Sequence, residues 1–323
     1  MGITIGIDDG TFWFGLLVQP VMTISSLSHS PFTTPQLGHQ RIWGWRGWQI
    51  RYTFLVPDTA AARAATPMVL VHGFGASLDQ WRHNLVALSQ KRPVYAIDLL
   101  GFGSSQKPAN LLGASVWQAQ LYDFWQALIG RPAIVVGHSL GALVALTASA
   151  KHPDMVARLI LLTVPLAREE LVSGWLDTLS RTVESWVATP LLLRPLFLWV
   201  RRPGFIRTVL RKVYIDPAGV DDELVESFTR PTLERGAART LCYLVRSRTE
   251  ADFSPPVSEL VPQVKVPILL LWGSQDQVIP IGWAQQVKGL SPLLTYQEIP
   301  GAGHCLYDEA AETVINTMES WLG

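Results

Sequence analysis

Residues 133–146 read AIVVGHSLGALVAL: an apolar run, a serine held between glycines, and a second apolar run. The first half, rich in Ile and Val and closed by glycine, has the form of a strand buried on both faces of a sheet. The second half continues into TASA and reads as an apolar helix. Ser139 sits at the join, in Gly137-His138-Ser139-Leu140-Gly141, which fits the G-x-S-x-G pattern. A sharp strand-to-helix turn holds its central residue in a strained backbone conformation and admits only small neighbours, so the hydroxyl is lifted into the open. The first N–H groups of the following helix point at whatever binds there and favour developing negative charge. A serine in a glycine-rich turn is also ordinary loop chemistry, so a nucleophile needs partners elsewhere in the chain.

Similar short runs rich in Val, Ile and Leu recur at 68–73 (MVLVHG), 94–98 (VYAID), 159–163 (LILLT) and 268–273 (ILLLWG). Helix-length segments lie between them, among them SLDQWRHNLVALSQ and SVWQAQLYDFWQALIG. That alternation predicts parallel βαβ units. RIWGWRGWQIRYTFLVP predicts an antiparallel hairpin at the sheet edge, and LLTYQEIPG at 293–301 a last strand. The rhythm breaks after Val164, where the spacing becomes helical, with prolines at 190, 195, 203, 217 and 231; it resumes at Val266. This predicts a core of residues 41–164 and 261–323, a helical cap inserted at 165–260, and an N-terminal arm at 1–40.

Of the 323 residues, 48% are hydrophobic and 16% charged, against about 25% charged in ordinary soluble chains. Disorder is excluded on that ground. Lys plus Arg (26) equals Asp plus Glu (26), so no overall field draws the chain to nucleic acid. The two cysteines, Cys242 and Cys305, form neither a CxxC pair nor a metal-ligand cluster, which fits a reducing, cytoplasmic setting. Asp8 and Asp9 stand where a secretory signal carries positive charge, and Pro20 interrupts the apolar stretch of the arm. No window reaches the roughly 18–20 apolar residues of a spanning helix. The arm is read as packing on the body or on a membrane.

A serine hydroxyl is a weak nucleophile near neutral pH and needs a base, oriented in turn by a third group. Of the seven histidines, His29 and His39 lie in the arm, His83 and His152 in or at the ends of predicted helices, and His138 in the turn itself. His304 lies in IPGAGHCLYDE, a glycine-rich loop after the last strand, which suits a general base. Asp276, in GSQDQVIP three residues past the strand ILLLWG, is placed to orient it. The rival carboxylates are Asp98, better suited to holding the loop LLGFGSS through backbone N–H groups, and Asp308, which reads as a helix-start residue. His72-Gly73-Phe74-Gly75 follows the strand MVLV; the N–H groups of Phe74 and Leu140 are the expected oxyanion donors, with His72 structural.

With HGFG, DLLGFGSS, GHSLG, GSQD and GAGH in that order, the chain resembles the α/β hydrolase family from about residue 40 to 323, the cap apart. The resemblance implies a mostly parallel central sheet with helices on both faces and an inserted helical cap. It also implies the order nucleophile, acid, histidine, in which Ser139, Asp276 and His304 stand. Relatives with an aspartate nucleophile open epoxides or remove halide; a serine in that place disfavours both. Within the family, WGWRGWQIRYTF, VLVHGFGASLDQWRHNL and YAIDLLGFGSSQKP are similar to the photosynthetic branch that includes pheophytinase and chlorophyll dephytylase. That likeness implies a phytyl ester as a substrate. Gly141-Ala142 departs from the double glycine often found after the elbow.

The expected function is a serine esterase acting on a carboxylic ester with an apolar chain, without a cofactor or metal. Thioester cleavage, acyl transfer, carbon–carbon hydrolysis and perhydrolysis would use the same three residues; a non-catalytic lipid- or signal-binding module would show a broken triad. The cap carries Leu191, Leu192, Leu193, Leu196, Phe197, Leu198, Trp199 and Val200, followed by Arg201, Arg202, Arg207, Arg211 and Lys212. Two readings of it are open: a helix packed on the sheet with its basic end in water, and a peripheral contact with a membrane.

Overall fold

Five of the apolar runs become adjacent strands of one eight-stranded sheet in the computed structural model, which describes residues 6–8, 11–13, 37–165, 190–247 and 253–323. Residues 6–13 belong to a separate unit, Met1–Thr33, and contain a short antiparallel pair, β1 (Gly6–Asp8) and β2 (Thr11–Trp13). In the unit Thr34–Gly323 the strands are β3 (Arg41–Trp45), β4 (Trp48–Leu55), β5 (Met68–Val71), β6 (Val94–Ile97), β7 (Ala133–His138), β8 (Val156–Leu162), β9 (Ile268–Gly273) and β10 (Leu294–Ile299). Their order across the sheet is β10-β9-β8-β7-β5-β6-β4-β3. Every pairing is parallel except β3 with β4 and β4 with β6. The hairpin β3–β4 turns through Arg46 and Gly47, both at positive φ (48° and 84°), the pair of conformations that a two-residue hairpin loop requires.

Strand periodicity sorts the core. Val69 and Val71 of β5, Val135 of β7 and Leu270 and Trp272 of β9 face one apolar layer. Met68 and Leu70, Val136, and Leu269 and Leu271 face the other. The first layer is closed by α1 (Ala114–Leu128), which buries Trp117, Leu121 and Phe124 at helical spacing, and by α2 (Leu140–Lys151), buried from Leu140 to Ser149. The second is closed in part by the helix that ends the chain, through Val314 and Met318. Helices therefore cover both faces.

Two expectations are corrected. SLDQWRHNLVALSQ is not one helix but a 3-10 turn, Leu78–Trp81, and a short helix, Leu85–Ser89. The break is paid out in tertiary bonds: the Leu78 N–H goes to Asp98 (2.6 Å), and the Gln80 side chain accepts from Gly73 N–H (3.0 Å). The strand read at 159–163 begins earlier, at Val156. Leu37, just before the start of β3, is buried in the second layer, and its carbonyl accepts from Thr53 Oγ1.

Between β8 and β9 the described residues form α3 (Pro190–Val200), α4 (Pro203–Val213), α5 (Asp222–Leu233) and α6 (Ala237–Ser247). Residues 166–189 and 248–252, also assigned to the cap, lie outside the described residues, as do the side chains of Leu191, Leu192 and Leu193. The inserted helices are fastened to loops that follow the carboxyl ends of strands. After β5, Asp79 binds Arg230 (2.8 Å) and Arg82 binds both oxygens of Asp221 (3.0 Å each). After β6, Lys107 binds Glu234 (2.8 Å) and Leu112 N–H binds Ser247 Oγ (2.8 Å). After β10, Asp308 receives Arg82 Nε (3.2 Å) and the Tyr214 hydroxyl (2.8 Å). Asp308 is thus the centre of a buried network and not only a helix-start residue.

Arg82 and Asp308 expose 5% and 4% of their side chains, so neither charge has water to fall back on. Replacing Arg82 with Ala leaves the Asp308 carboxylate with only the Tyr214 hydroxyl (2.8 Å) and the part-exposed His83 ring (3.3 Å) in place of a permanent cation. The expected loss is about 3–5 kcal/mol of stability, read as a lowered midpoint in urea or thermal unfolding.

Candidate active site

Ser139 stands between the end of β7 and the start of α2 with φ 51° and ψ −119°. Among the described non-glycine residues only Arg46 and Thr163 share a positive φ. This conformation is costly for a serine and persists because its surroundings over-determine it. The Ser139 N–H is tied to Leu162 O on β8 (3.0 Å), and its carbonyl takes the N–H groups of Ala142 (2.8 Å) and Leu143 (3.1 Å). A Cβ on Gly141 would fall 2.2 Å from the carbonyl oxygen of Val71, so α2 can start where it does only with glycine there. The hydroxyl is half-buried, and among the described residues it makes no hydrogen bond, to His304 or to any other group.

Asp276 follows β9 and His304 follows β10, neighbouring parallel strands. Their loops come together because the backbone at Gly273 is bare: a Cβ there would lie 2.2 Å from Gly303 O. His304 Nδ1 donates to Asp276 Oδ2 at 2.9 Å. The other carboxylate oxygen, Oδ1, accepts the N–H groups of Val278 and Ile279, both at 2.8 Å. The Asp276 side chain is fully buried and the His304 ring is 10% exposed. With the proton fixed on Nδ1, the Nε2 lone pair is left to accept a proton, as a general base requires. Asp276 is thereby set apart from its rivals. Asp98 spends Oδ1 on Leu78 N–H and Oδ2 on Ser104 N–H (2.7 Å) and Arg51 (3.4 Å), and holds the loop after β6 as expected.

Phe74 lies in the loop after β5, 47% exposed, with its ring 5.4 Å from Phe102. Among the described residues neither the Phe74 N–H nor the Leu140 N–H has an acceptor. His72 is structural: its Nε2 accepts Leu99 N–H (3.0 Å) and its Nδ1 donates to Gly73 O (2.7 Å), pinning the strand end of β5 to that of β6.

Two residues of the site gave no signal in the sequence. His138, the residue before Ser139, donates from Nε2 to the backbone carbonyl of His304 (3.0 Å). Its ring packs 4.8 Å from that of His304 and 4.7 Å from Tyr307. It therefore clips the serine turn to the histidine loop across 166 residues of chain. Thr163, at the end of β8, holds φ 49° with its hydroxyl buried and, among the described residues, without a hydrogen-bond partner.

Burial holds the imidazole of His72 below its ordinary value and that of His138 well below it, in the second case helped by the neighbouring His304. Both therefore take up a proton less readily in the folded state than in an unfolded chain, whose histidines titrate near about pH 6.5. The unfolded state then binds more protons, so stability falls as pH drops. From about pH 7 to about pH 5.5 the denaturation midpoint should decrease, with each histidine contributing up to about 1.4 kcal/mol per pH unit below its unfolded pKa. A midpoint unchanged over that range would refute the lowered proton affinity of these buried rings.

The α/β hydrolase fold family model matches residues 66–311. The uncharacterized hydrolase YugF of Bacillus subtilis is 25% identical over 248 residues, covering 76% of this chain and 86% of that protein. The chloroplastic pheophytinase of Arabidopsis thaliana is 25% identical over 297 residues, 80% of this chain, and the chain spans 61% of that protein's length. Among solved structures, a bacterial membrane phospholipase A shares the fold with a TM-score of 0.71 at 22% identity, over 89% of this chain and 86% of that one. The family model covers most of the chain, and the chain belongs to the α/β hydrolase fold family.

Proposed function

We propose that this protein is a serine hydrolase that cleaves a carboxylic ester with an apolar chain. The observation that carries the reading is the buried His304–Asp276 pair at 2.9 Å, clipped through His138 to a serine held at positive φ. Ser139 Oγ attacks the ester carbonyl while His304 Nε2 takes its proton. Asp276 keeps the ring in the required tautomer and stabilises the imidazolium. The oxyanion is received by the Phe74 and Leu140 N–H groups, aided by the N-terminus of α2. Collapse expels the alcohol, protonated by His304, and leaves an acyl group on Ser139. Water, deprotonated by the same imidazole, then releases the acid. The nucleophile–base hydrogen bond forms with substrate present, since such contacts are often loose in an empty site.

The inserted helices act as a cap. Their bonds to the loops after β5, β6 and β10 put them at the end of the sheet that carries Ser139, Asp276 and His304. The exposed ring of Phe74 beside the proposed oxyanion donors suits an apolar chain, each buried methylene contributing about 0.8 kcal/mol. The likeness to pheophytinase supports a phytyl ester of a chlorophyll-type pigment as the specific substrate.

Replacing Ser139 with Ala should abolish turnover of a short p-nitrophenyl ester while the circular dichroism spectrum and melting temperature stay close to those of the wild type. Retained turnover would remove Ser139 as the nucleophile. Substrate identity is read by incubating the enzyme with esters from short acyl to chlorophyll-type phytyl esters and weighing the products. Release of phytol is expected; turnover confined to short esters would overturn the phytyl assignment and leave the esterase standing.

A further inference from the structure

Residues 190–213, which form α3, α4 and the turn between them, carry six of the chain's 26 Lys and Arg and none of its 26 Asp and Glu. The rest of the protein is therefore net acidic, and this segment holds the compensating charge. Its inner face is apolar in the ordinary way, with Phe197 and Leu210 buried. The outer face is not ordinary. Leu196, Leu198 and Trp199 are 49%, 52% and 51% exposed, and Val209 is 43% exposed, where a surface helix normally places polar groups. The Trp199 ring lies 4.5 Å from Phe205, which joins the end of α3 to the start of α4.

The basic side chains divide in the same way. Arg207 turns inward to Asp222 and to the carbonyl of Val220 (3.2 Å). Arg201, Arg202, Arg211 and Lys212 form no ion pair among the described residues, and Arg202, Arg211 and Lys212 are exposed. Apolar side chains flanked by unpaired cations match the boundary of a lipid bilayer, where Leu and Trp enter the acyl region and Arg and Lys meet phosphates.

We propose that the outer face of α3 and α4 docks the protein on an anionic lipid bilayer. A second copy of this chain fits the face poorly, because a two-fold contact sets the same cations against each other. A nucleic acid backbone offers nothing to the aliphatic Leu196 and Leu198. Among the described residues no helix is long and apolar enough to cross a membrane, so the contact is peripheral. The proposal does not depend on which acyl chemistry Ser139 performs.

The test is flotation of the whole protein with vesicles of phosphatidylcholine alone and with phosphatidylglycerol added, at low and high salt. The wild type should float with the anionic vesicles at low salt and be released by high salt. The variants R202E/R211E/K212E and L196S/L198S/W199S should each bind at least about tenfold less, with melting curves that show both folded. Should a triple variant unfold, R202E and W199S alone carry the comparison, each with a smaller loss. Failure of the wild type to float, or flotation of the charge-reversed protein like the wild type, overturns the proposal. So does a dimer in light scattering that L196S/L198S/W199S dissolves, which would assign the face to a second copy.

Discussion

The site depends on how closely the backbone of α2 approaches that of β5. A methyl group on Gly141 would sit 2.2 Å from the carbonyl of Val71, well inside any permitted contact. That approach sets where the helix begins, and with it the turn that holds Ser139 at positive φ. The same closeness puts the Leu140 N–H and the loop carrying Phe74 on one side of the sheet end. Adjacent strands then supply the rest: Leu162 of β8 ties down the serine N–H, and the loops after β9 and β10 bring in Asp276 and His304. Five neighbouring strand ends, β5 and β7 to β10, meet there because the sheet is parallel, so that all of their carboxyl ends fall at one end of it.

Much of this is legible in the sequence because parallel strands covered on both faces must be apolar at every position. That makes Met68–Val71, Ala133–His138 and Ile268–Gly273, all fully buried, stand out. Ser139 and Asp276 are legible for a related reason, since each lies just past such a strand; His304 follows the mostly exposed β10 and is legible from its glycine-rich loop. What escapes is fixed by partners remote in the chain. Nothing in HSLG says that His138 will donate to the carbonyl of His304, 166 residues on. Nothing in DEAAE says that Asp308 will receive Arg82 from 226 residues before it. The break in residues 77–90 belongs to the same class: helical spacing is present there, but the bonds to Asp98 and Gly73 outweigh it. Thr163 is a different case, a β-branched residue in a conformation that its type disfavours, and the structure gives no account of why a threonine stands there.

His72 and His138 show how two histidines beside a third can be kept from the role proposed for it. Each spends a ring nitrogen on a backbone carbonyl and loses its water. His304 differs by its carboxylate partner, which fixes the tautomer and supplies the counter-charge that a protonated ring needs. Of three imidazoles at one end of the sheet, His304 is the one whose ring nitrogen meets a carboxylate and not a backbone carbonyl.

The inserted helices leave the sheet at Val164 and the described chain returns at Phe253, whose carbonyl accepts Ala114 N–H at the start of α1, in the loop region that follows β6. Departure and return thus lie at the same edge of the sheet, and the residues from Phe253 to Pro267 make the actual crossing to β9, with Val257, Leu260, Val261 and Val264 buried under it. Everything between is a closed excursion. The entropy of closing such a detour rises only with the logarithm of its length, each doubling costing about 0.6 kcal/mol. Chain closure therefore sets little limit on the segment's length; what fixes it to the sheet end is the set of side-chain bonds from Asp221, Arg230 and Glu234 and the burial of Leu210 and Leu224 in the second core layer.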